Sequence, residues 1–210
     1  MPDILFHPYD SSPFSEEGPR LPRHQAAGLG CGGSTREHAQ AELAALTGGY
    51  RRIPVMQIST DIYYDSQLIV RELERRYREP SLFPQGARGL AYANALWSDR
   101  IVFQAAVAII FARLGDKVPP AFIKDRTALA GRSFDPAAMQ AAVPHIKKQM
   151  RSHSALLCDQ LADQRRFLTG DIPGLADANA YYNLWFLRSA FPRRRAFIKL
   201  CRAWLRGSSG

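Results

Sequence analysis

Residues 46–77, LTGGYRRIPVMQISTDIYYDSQLIVRELERRY, carry the densest structural signal in the chain. Ile53-Pro54-Val55-Met56-Gln57-Ile58 and Ile62-Tyr63-Tyr64 are rich in β-branched and aromatic side chains. The polar Ser59-Thr60-Asp61 separates them, so the pair reads as a β-hairpin. Pro54 stands at the start of its run, where the missing N–H is tolerated. Asp65-Ser66 then precedes Leu68, Ile69, Leu73 and Tyr77, a helical spacing with Asp65 placed to cap the first turn.

Working outward, Ile4-Leu5-Phe6 is a short apolar run suited to a buried strand, and the turn-rich Asp10-Ser11-Ser12-Pro13 ends it. On the other side, Glu79 to Gly89 contains two prolines and two glycines and reads as a linker. Beyond it the pattern is helical. Leu90–Leu114 is apolar-rich, and 135–162 carries Met139, Val143, Ile146, Met150, Leu157 and Leu161 at three- and four-residue steps, with Pro144 expected to kink it. Leu175–Leu187 suits a buried central helix and 196–205 a last one. The expected architecture is an α/β unit over 1–78, a linker over 79–88 and an all-helical unit over 89–206.

Composition narrows the functional classes. The chain has 210 residues, with 28 Lys+Arg against 19 Asp+Glu, a net charge of +9. The arginines fall in short clusters (51–52, 75–76, 165–166, 193–195), which solvated helix faces explain better than a nucleic-acid surface does. Cys31, Cys158 and Cys201 are odd in number and lack a CxxC pair, which argues against a disulfide framework or a zinc site and fits a reducing cytosol. The first ten residues lack an apolar export core. The most apolar segment, 101–115, contains Gln104 and Arg113 and reads as too short to cross a bilayer. A soluble cytoplasmic protein is expected, with no metal, no membrane and no nucleic acid among its partners.

Four landmarks resemble those of glutathione S-transferases, in order and at suitable distances: TyrAspSerSerProPheSer (9–15), ArgIleProVal (52–55), TyrAspSer (64–66) and GlyLeuAlaAsp (174–177). The resemblance covers roughly 1–16 and 42–205. It implies a thioredoxin-like N-terminal domain followed by an all-helical C-terminal domain, with glutathione as co-substrate and a hydrophobic electrophile as the second substrate. It also implies Ser12, or its neighbour Ser11, at the N-terminus of a first helix, where a thiolate gains a hydrogen bond and the positive end of the dipole. As residues, both serines read equally well as helix caps. Ile53-Pro54 matches the family's cis-proline dipeptide, which would turn Val55 toward the cysteinyl part of glutathione. Asp65 and Ser66 match the pair that receives the γ-glutamyl head, Ser66 through its N–H and hydroxyl and Asp65 by orienting the amine. An ordinary N-cap is compatible with that role. Asp177 is implied as a folding element that reaches back to N–H groups of the entering loop, although Gly174 stands where the family has Ser or Thr. Trp97 and Asp99 fit core and cleft-lining positions, and His7 and Tyr9 flank the Ser12 turn. A homodimer is the family expectation.

Residues 17–41, EGPRLPRHQAAGLGCGGSTREHAQA, depart from this pattern. They are rich in glycine and turn residues where the family has a helix and a strand. Read one nucleotide later, the same codons permit Lys-Val-Arg, Leu, Ile-Lys, Leu, Trp, Val-Glu, Pro and Asn-Met-Pro-Lys before the in-frame Glu42-Leu43, a string with the missing helix-and-strand character. The expectation is therefore a paired frameshift in preference to a true insertion and, in either case, a chain lacking the first helix and an interior second strand. Three functions stay open: a conjugating enzyme, a non-catalytic binding module of the same fold, and, behind them, a nucleic-acid binder without a recognisable motif.

Overall fold

The computed structural model describes residues 4–7, 29–31 and 43–190. Four strands form one sheet: β1 (Ile4–His7), β2 (Leu29–Cys31), β3 (Val55–Ile58) and β4 (Asp61–Tyr64), in the order β2-β1-β3-β4. The hairpin read from 53–64 is present. Val55 faces Tyr64 and Ile58 faces Asp61 in an antiparallel register, and β1 runs antiparallel to β3 with Ile4 opposite Ile58 and His7 opposite Val55. The Ile53–Pro54 bond is cis, as the family likeness implied, and so is Glu79–Pro80. Val55 and Met56 are successive residues and both are fully buried, so β3 is covered on both faces, as befits an interior strand.

One expectation for the sheet is overturned. A strand does form within 17–41: Leu29–Cys31 lies parallel to β1, with Ile4 opposite Leu29 and Phe6 opposite Cys31. Its place is at the edge, beside β1, and not in the interior. Strand pairing uses backbone N–H and C=O groups, which Leu-Gly-Cys supplies without a proline, so an apolar-poor segment can still dock on the free edge of β1. The remainder of 17–41, including the helix expected there, lies outside the described residues, as do Tyr9, Ser11, Ser12 and the helix expected over 196–205.

Helix α1 (Ser66–Arg76) follows β4 directly and buries Ile69, Val70 and Leu73 against the sheet. Its polar face carries an ion cluster. Glu72 accepts from Arg75 at 2.7 Å and from Arg76 at 2.5 Å. Those hydrogen bonds, led by Arg75, hold the Glu72 carboxyl at about 2, below its ordinary 4.5. A carboxylate depressed by folding contributes stability above the ordinary pKa and loses it as the pH falls toward the folded value. Glu72→Gln is therefore expected to remove about 1 kcal/mol at neutral pH, Arg75 being largely in solvent, and nothing near pH 2. Urea midpoints of both proteins at the two pH values measure this; a constant gap between them would exclude the ion cluster as its source.

The stretch over 79–88 is packed. Leu82 and Phe83 are buried, and Glu74 of α1 accepts from Ser81 Oγ at 2.6 Å and from Leu82 N at 2.8 Å. Beyond it come α2 (Arg88–Trp97), a π-helical turn (Ser98–Val102) and α3 (Phe103–Leu114), followed by α4 (Pro120–Ala130), α5 (Pro136–Gln160) and α6 (Leu175–Ala190). Asp135 caps α5 by accepting from Ala137 N and Ala138 N, and α5 continues through Pro144 as a single element.

The length argument made for 101–115 also needs correction. The helical run Arg88–Lys117 has 30 residues and is long and apolar enough, by length and composition, to cross a membrane. Within the fold it packs against α5 and α6, burying Ala91, Ala95, Val102, Ala105, Ala106, Ile109 and Ile110. The core is continuous across the molecule: Ile4, Phe6, Met56, Ile58 and Leu73 belong to the same buried cluster as Leu82, Ala91, Leu157, Leu168, Leu175 and Ala180.

Candidate functional site

Asp65 has φ +80° and ψ 122°, a backbone region that a non-glycine residue rarely occupies. Its Oδ1 accepts from Gln67 N at 2.9 Å and Leu68 N at 3.2 Å, which closes the first turn of α1 and helps to hold that conformation. The side chain is exposed and Ser66 is half-buried, so the helix entrance opens outward. Tyr50 stacks on Tyr64 beside it, with ring centroids 4.4 Å apart and planes at 29°. Burial, and then the Asp65 charge, push the Tyr50 phenol upward, while Arg52 opposes them. Tyr50, Arg52, Tyr64 and Asp65 therefore share one locality, at the end of β4 and on the loop entering cis-Pro54.

The helical unit contributes a second carboxylate. Asp99 lies in the π-helical turn and accepts from the Tyr182 hydroxyl of α6 at 2.5 Å. Burial raises the Asp99 carboxyl; the Tyr182 hydrogen bond and Arg100 work against that rise, and the charge on Asp65 adds to it.

Behind Asp99, a buried polar knot fixes the turn. Ser98 Oγ donates to the Asn179 carbonyl at 2.5 Å, and Asn183 Nδ2 donates to Ser98 Oγ at 2.8 Å and to the Ser98 carbonyl at 3.3 Å. A π-turn inserts an extra residue into the helical phase, a feature that often marks functional positions.

The residues expected at the site divide clearly. Pro54, Val55, Asp65 and Ser66 are described: Pro54 and Val55 are buried at the start of β3, with Val55 inside the ladder between His7 and Tyr64, while Asp65 and Ser66 sit at the α1 entrance. Ser12 and Ser11, the expected thiolate partners, lie outside the described residues. Trp97 packs edge-on against His153, centroids 5.5 Å apart. Asp177 is buried and accepts from Leu168 N at 2.8 Å and Gly174 N at 2.9 Å. A Cβ at position 174 would meet Pro84 Cδ at 2.7 Å and the Leu82 carbonyl oxygen at 3.0 Å, so glycine is what the close approach of the 82–84 backbone allows there. Among the described residues, no group of three or more His, Cys, Asp or Glu could hold a metal ion. Sequence reasoning passed over Tyr50 and Tyr182. Tyr182 sits in a helix that reads as uniformly apolar, and its partner is 83 residues away.

Comparison with known proteins agrees with this geometry. Residues 140–207 match the family model described as "Glutathione S-transferase, C-terminal domain". A GST-like protein from Pseudomonas syringae superposes over 98% of this chain with a TM-score of 0.68 at 28% identity. The chain resembles glutathione S-transferases in fold and, over residues 140–207, in sequence. It spans 66% of the length of that Pseudomonas protein. A glutathione S-transferase from Rhodospirillum rubrum F11 shares the fold at 18% identity and a TM-score of 0.69, covering 96% of this chain and 85% of that one. A theta class glutathione S-transferase from Xanthomonas axonopodis pv. citri, solved with glutathione bound, covers 100% of this chain and 99% of its own at 19% identity and a TM-score of 0.59. No match was found among curated proteins. The glutathione S-transferase fold accounts for the order β2-β1-β3-β4 and for the helical unit that follows the sheet.

Proposed function

We propose that this chain conjugates the glutathione thiolate to an apolar electrophile, with the α1 entrance as the glutathione-binding end of the cleft. The observation that carries this reading is the strained Asp65 backbone at the α1 entrance, exposed to solvent beside the half-buried Ser66. A γ-glutamyl head carries an α-carboxylate and an α-ammonium. The Ser66 N–H at the start of α1 and the Ser66 hydroxyl suit the carboxylate. The acidic Asp65 and Asp99 suit the ammonium. The backbone at Pro54–Val55 would then meet the cysteinyl part, and Ser12, with Ser11 as its neighbour, would donate a hydrogen bond to the sulfur. A thiol titrates ordinarily near 8.5, and a donor aimed at the anion lowers that value. The sulfur attacks the electrophilic carbon with its electron pair, and the leaving group departs with the pair it shared with that carbon.

In this reading the protein works in the cytosol as a homodimer. The exposed apolar side chains of Leu68, Leu90, Leu96 and Ile101 supply area for self-association. The competing reading, a binding module without turnover, draws on the departure of residues 17–41 from the family pattern.

Calorimetric titration with glutathione, beside a turnover assay with an electrophilic aryl halide, tests the proposal. Asp65→Asn keeps an oxygen to cap α1 and removes the charge, so the fold should hold while glutathione affinity falls about tenfold, the effect of losing one charge-assisted contact. Ser66→Ala should weaken affinity by a similar factor. Binding without turnover would select the module, and affinity unchanged in both variants would remove the α1 entrance from the site.

A further inference from the structure

We propose that α4 (Pro120–Ala130) is a hinged lid, latched to the N-terminal unit by the ion pair between Arg51 and Asp125. The inference is independent of the catalytic reading. It rests on how α4 is held. None of the residues of α4 is buried, whereas α3 before it buries five residues and α5 after it is anchored by Met150, Ser154 and Leu157. Gly131 at φ +64° closes α4, and Gly115 at φ +50° lies five residues before it, at the end of α3, with the buried Val118 between. Side chains rarely adopt that conformation, so the chain can reorient at these two points with little steric resistance.

Aromatic packing, an ion pair and the hydrogen bond that Phe134 N donates to Thr127 Oγ1 at 3.1 Å hold the helix in place. On the bundle side, Phe122 stacks on Phe111 of α3 with centroids 5.3 Å apart and meets Phe134 edge-on at 5.9 Å; Phe111 and Phe134 are themselves 4.9 Å apart. The helix therefore covers an aromatic pair that remains in contact without it. One turn further along the same face, Arg51 reaches Asp125. Asp125 also accepts from Arg126 at 2.7 Å, and the Arg126 guanidinium lies over the Phe122 ring at 5.2 Å, so the ionic and aromatic contacts form one unit. Arg51 precedes cis-Pro54 on the loop that carries Tyr50 to the Asp65 entrance. Opening α4 thus uncovers Phe111 and Phe134 and frees that loop, while closing covers the one and fixes the other. An apolar aromatic ligand is the chemistry such a face would admit.

An ion pair this exposed is sensitive to salt, and a Debye length of about 3 Å at about 1 M salt screens it. The test is hydrogen–deuterium exchange of the full chain, followed peptide by peptide. At low salt, backbone amides over 118–131 should exchange about 3-fold faster in Asp125→Asn and in Arg51→Gln than in the parent, the size expected for one exposed ion pair. High salt should bring the parent to the level of the variants, and peptides from β3 and α5 should not change. The exchanged pair, Arg51→Glu with Asp125→Arg, should restore slow exchange over 118–131. Unchanged exchange there in both single variants would overturn the latch. Acceleration spread equally over β3, α4 and α5 would overturn the lid and make the ion pair a general brace between the units. Should Asp125→Asn fail to fold, Arg51→Gln and the salt series on the parent carry the same readout, and neither depends on glutathione.

Discussion

Asp177→Ala is expected to lower the melting temperature by about 5–12 °C, corresponding to about 2–4 kcal/mol in a chain of this size. The carboxylate is 7% exposed and accepts two backbone N–H groups, from Leu168 and Gly174, at the entrance to α6. Alanine leaves both donors in a buried place without their acceptor and loosens the loop that brings Leu168 and Leu175 into the core cluster. Burial pushes the Asp177 carboxyl upward against those same hydrogen bonds. A carboxyl raised by folding contributes most below the ordinary pKa and least once ionised, so the residue is retained at neutral pH for the bonds it accepts and not for its charge. Asp177→Asn keeps one acceptor oxygen and should lose about half as much. Scanning calorimetry of the three proteins decides the matter. A loss below about 1 kcal/mol in the alanine variant would mean that water or a neighbouring group takes over both N–H groups.

The second large effect is expected from residues 17–41. A chain in which these codons are read one nucleotide later, up to the in-frame Glu42, gains a segment with apolar residues at helix and strand spacing. It should melt at least about 5 °C higher than the present chain. It should also bind glutathione about tenfold more tightly or better, because it returns the helix that the family pattern places after Ser12, whose N-terminus favours an anionic sulfur. Thermal melts and glutathione titrations of the two chains give the answer. Equal melting temperatures and equal affinities would show that 17–41 is a tolerated insertion. Strand Leu29–Cys31 bears on the outcome: part of the sheet edge is already made by the chain as it stands, so the gain must come from the remaining residues.

What could be read from the sequence was local. The hairpin and α1 were legible because β-rich runs, a polar turn and a cap residue lie within 25 positions of one another, and the role of Asp177 was legible because its partners, Leu168 and Gly174, are close in the chain. The contacts that bring the two units together could not be read in the same way. Tyr182 and Asp99 are 83 residues apart, and Arg51 and Asp125 are 74 apart. Helix α4 has no apolar stripe to announce it, since it buries nothing. The π-turn at Ser98–Val102 follows from the polar knot with Asn179 and Asn183, which pairs a serine with amides on another helix. The misplaced second strand has the same origin: its partner is the backbone edge of β1, which leaves no mark on side-chain pattern.

The continuity of the core across both units has a bearing on how the chain is made. The inner face of the sheet, with Ile4, Phe6, Met56 and Ile58, shares its buried cluster with Leu157, Leu161, Leu175 and Ala180. On the ribosome the strands and α1 emerge first, and the residues of the helical unit that complete their cover are still to be synthesised. At about 5–20 residues per second, the wait from the end of α1 to Ala180 is on the order of 5–20 s. Throughout that interval α1 alone covers the apolar face of the nascent sheet, and the surface that Leu157, Leu161, Leu175 and Ala180 later bury stays in water. The fold of the N-terminal unit is thus completed only when the helical unit has been made, which couples the two in synthesis as well as in packing.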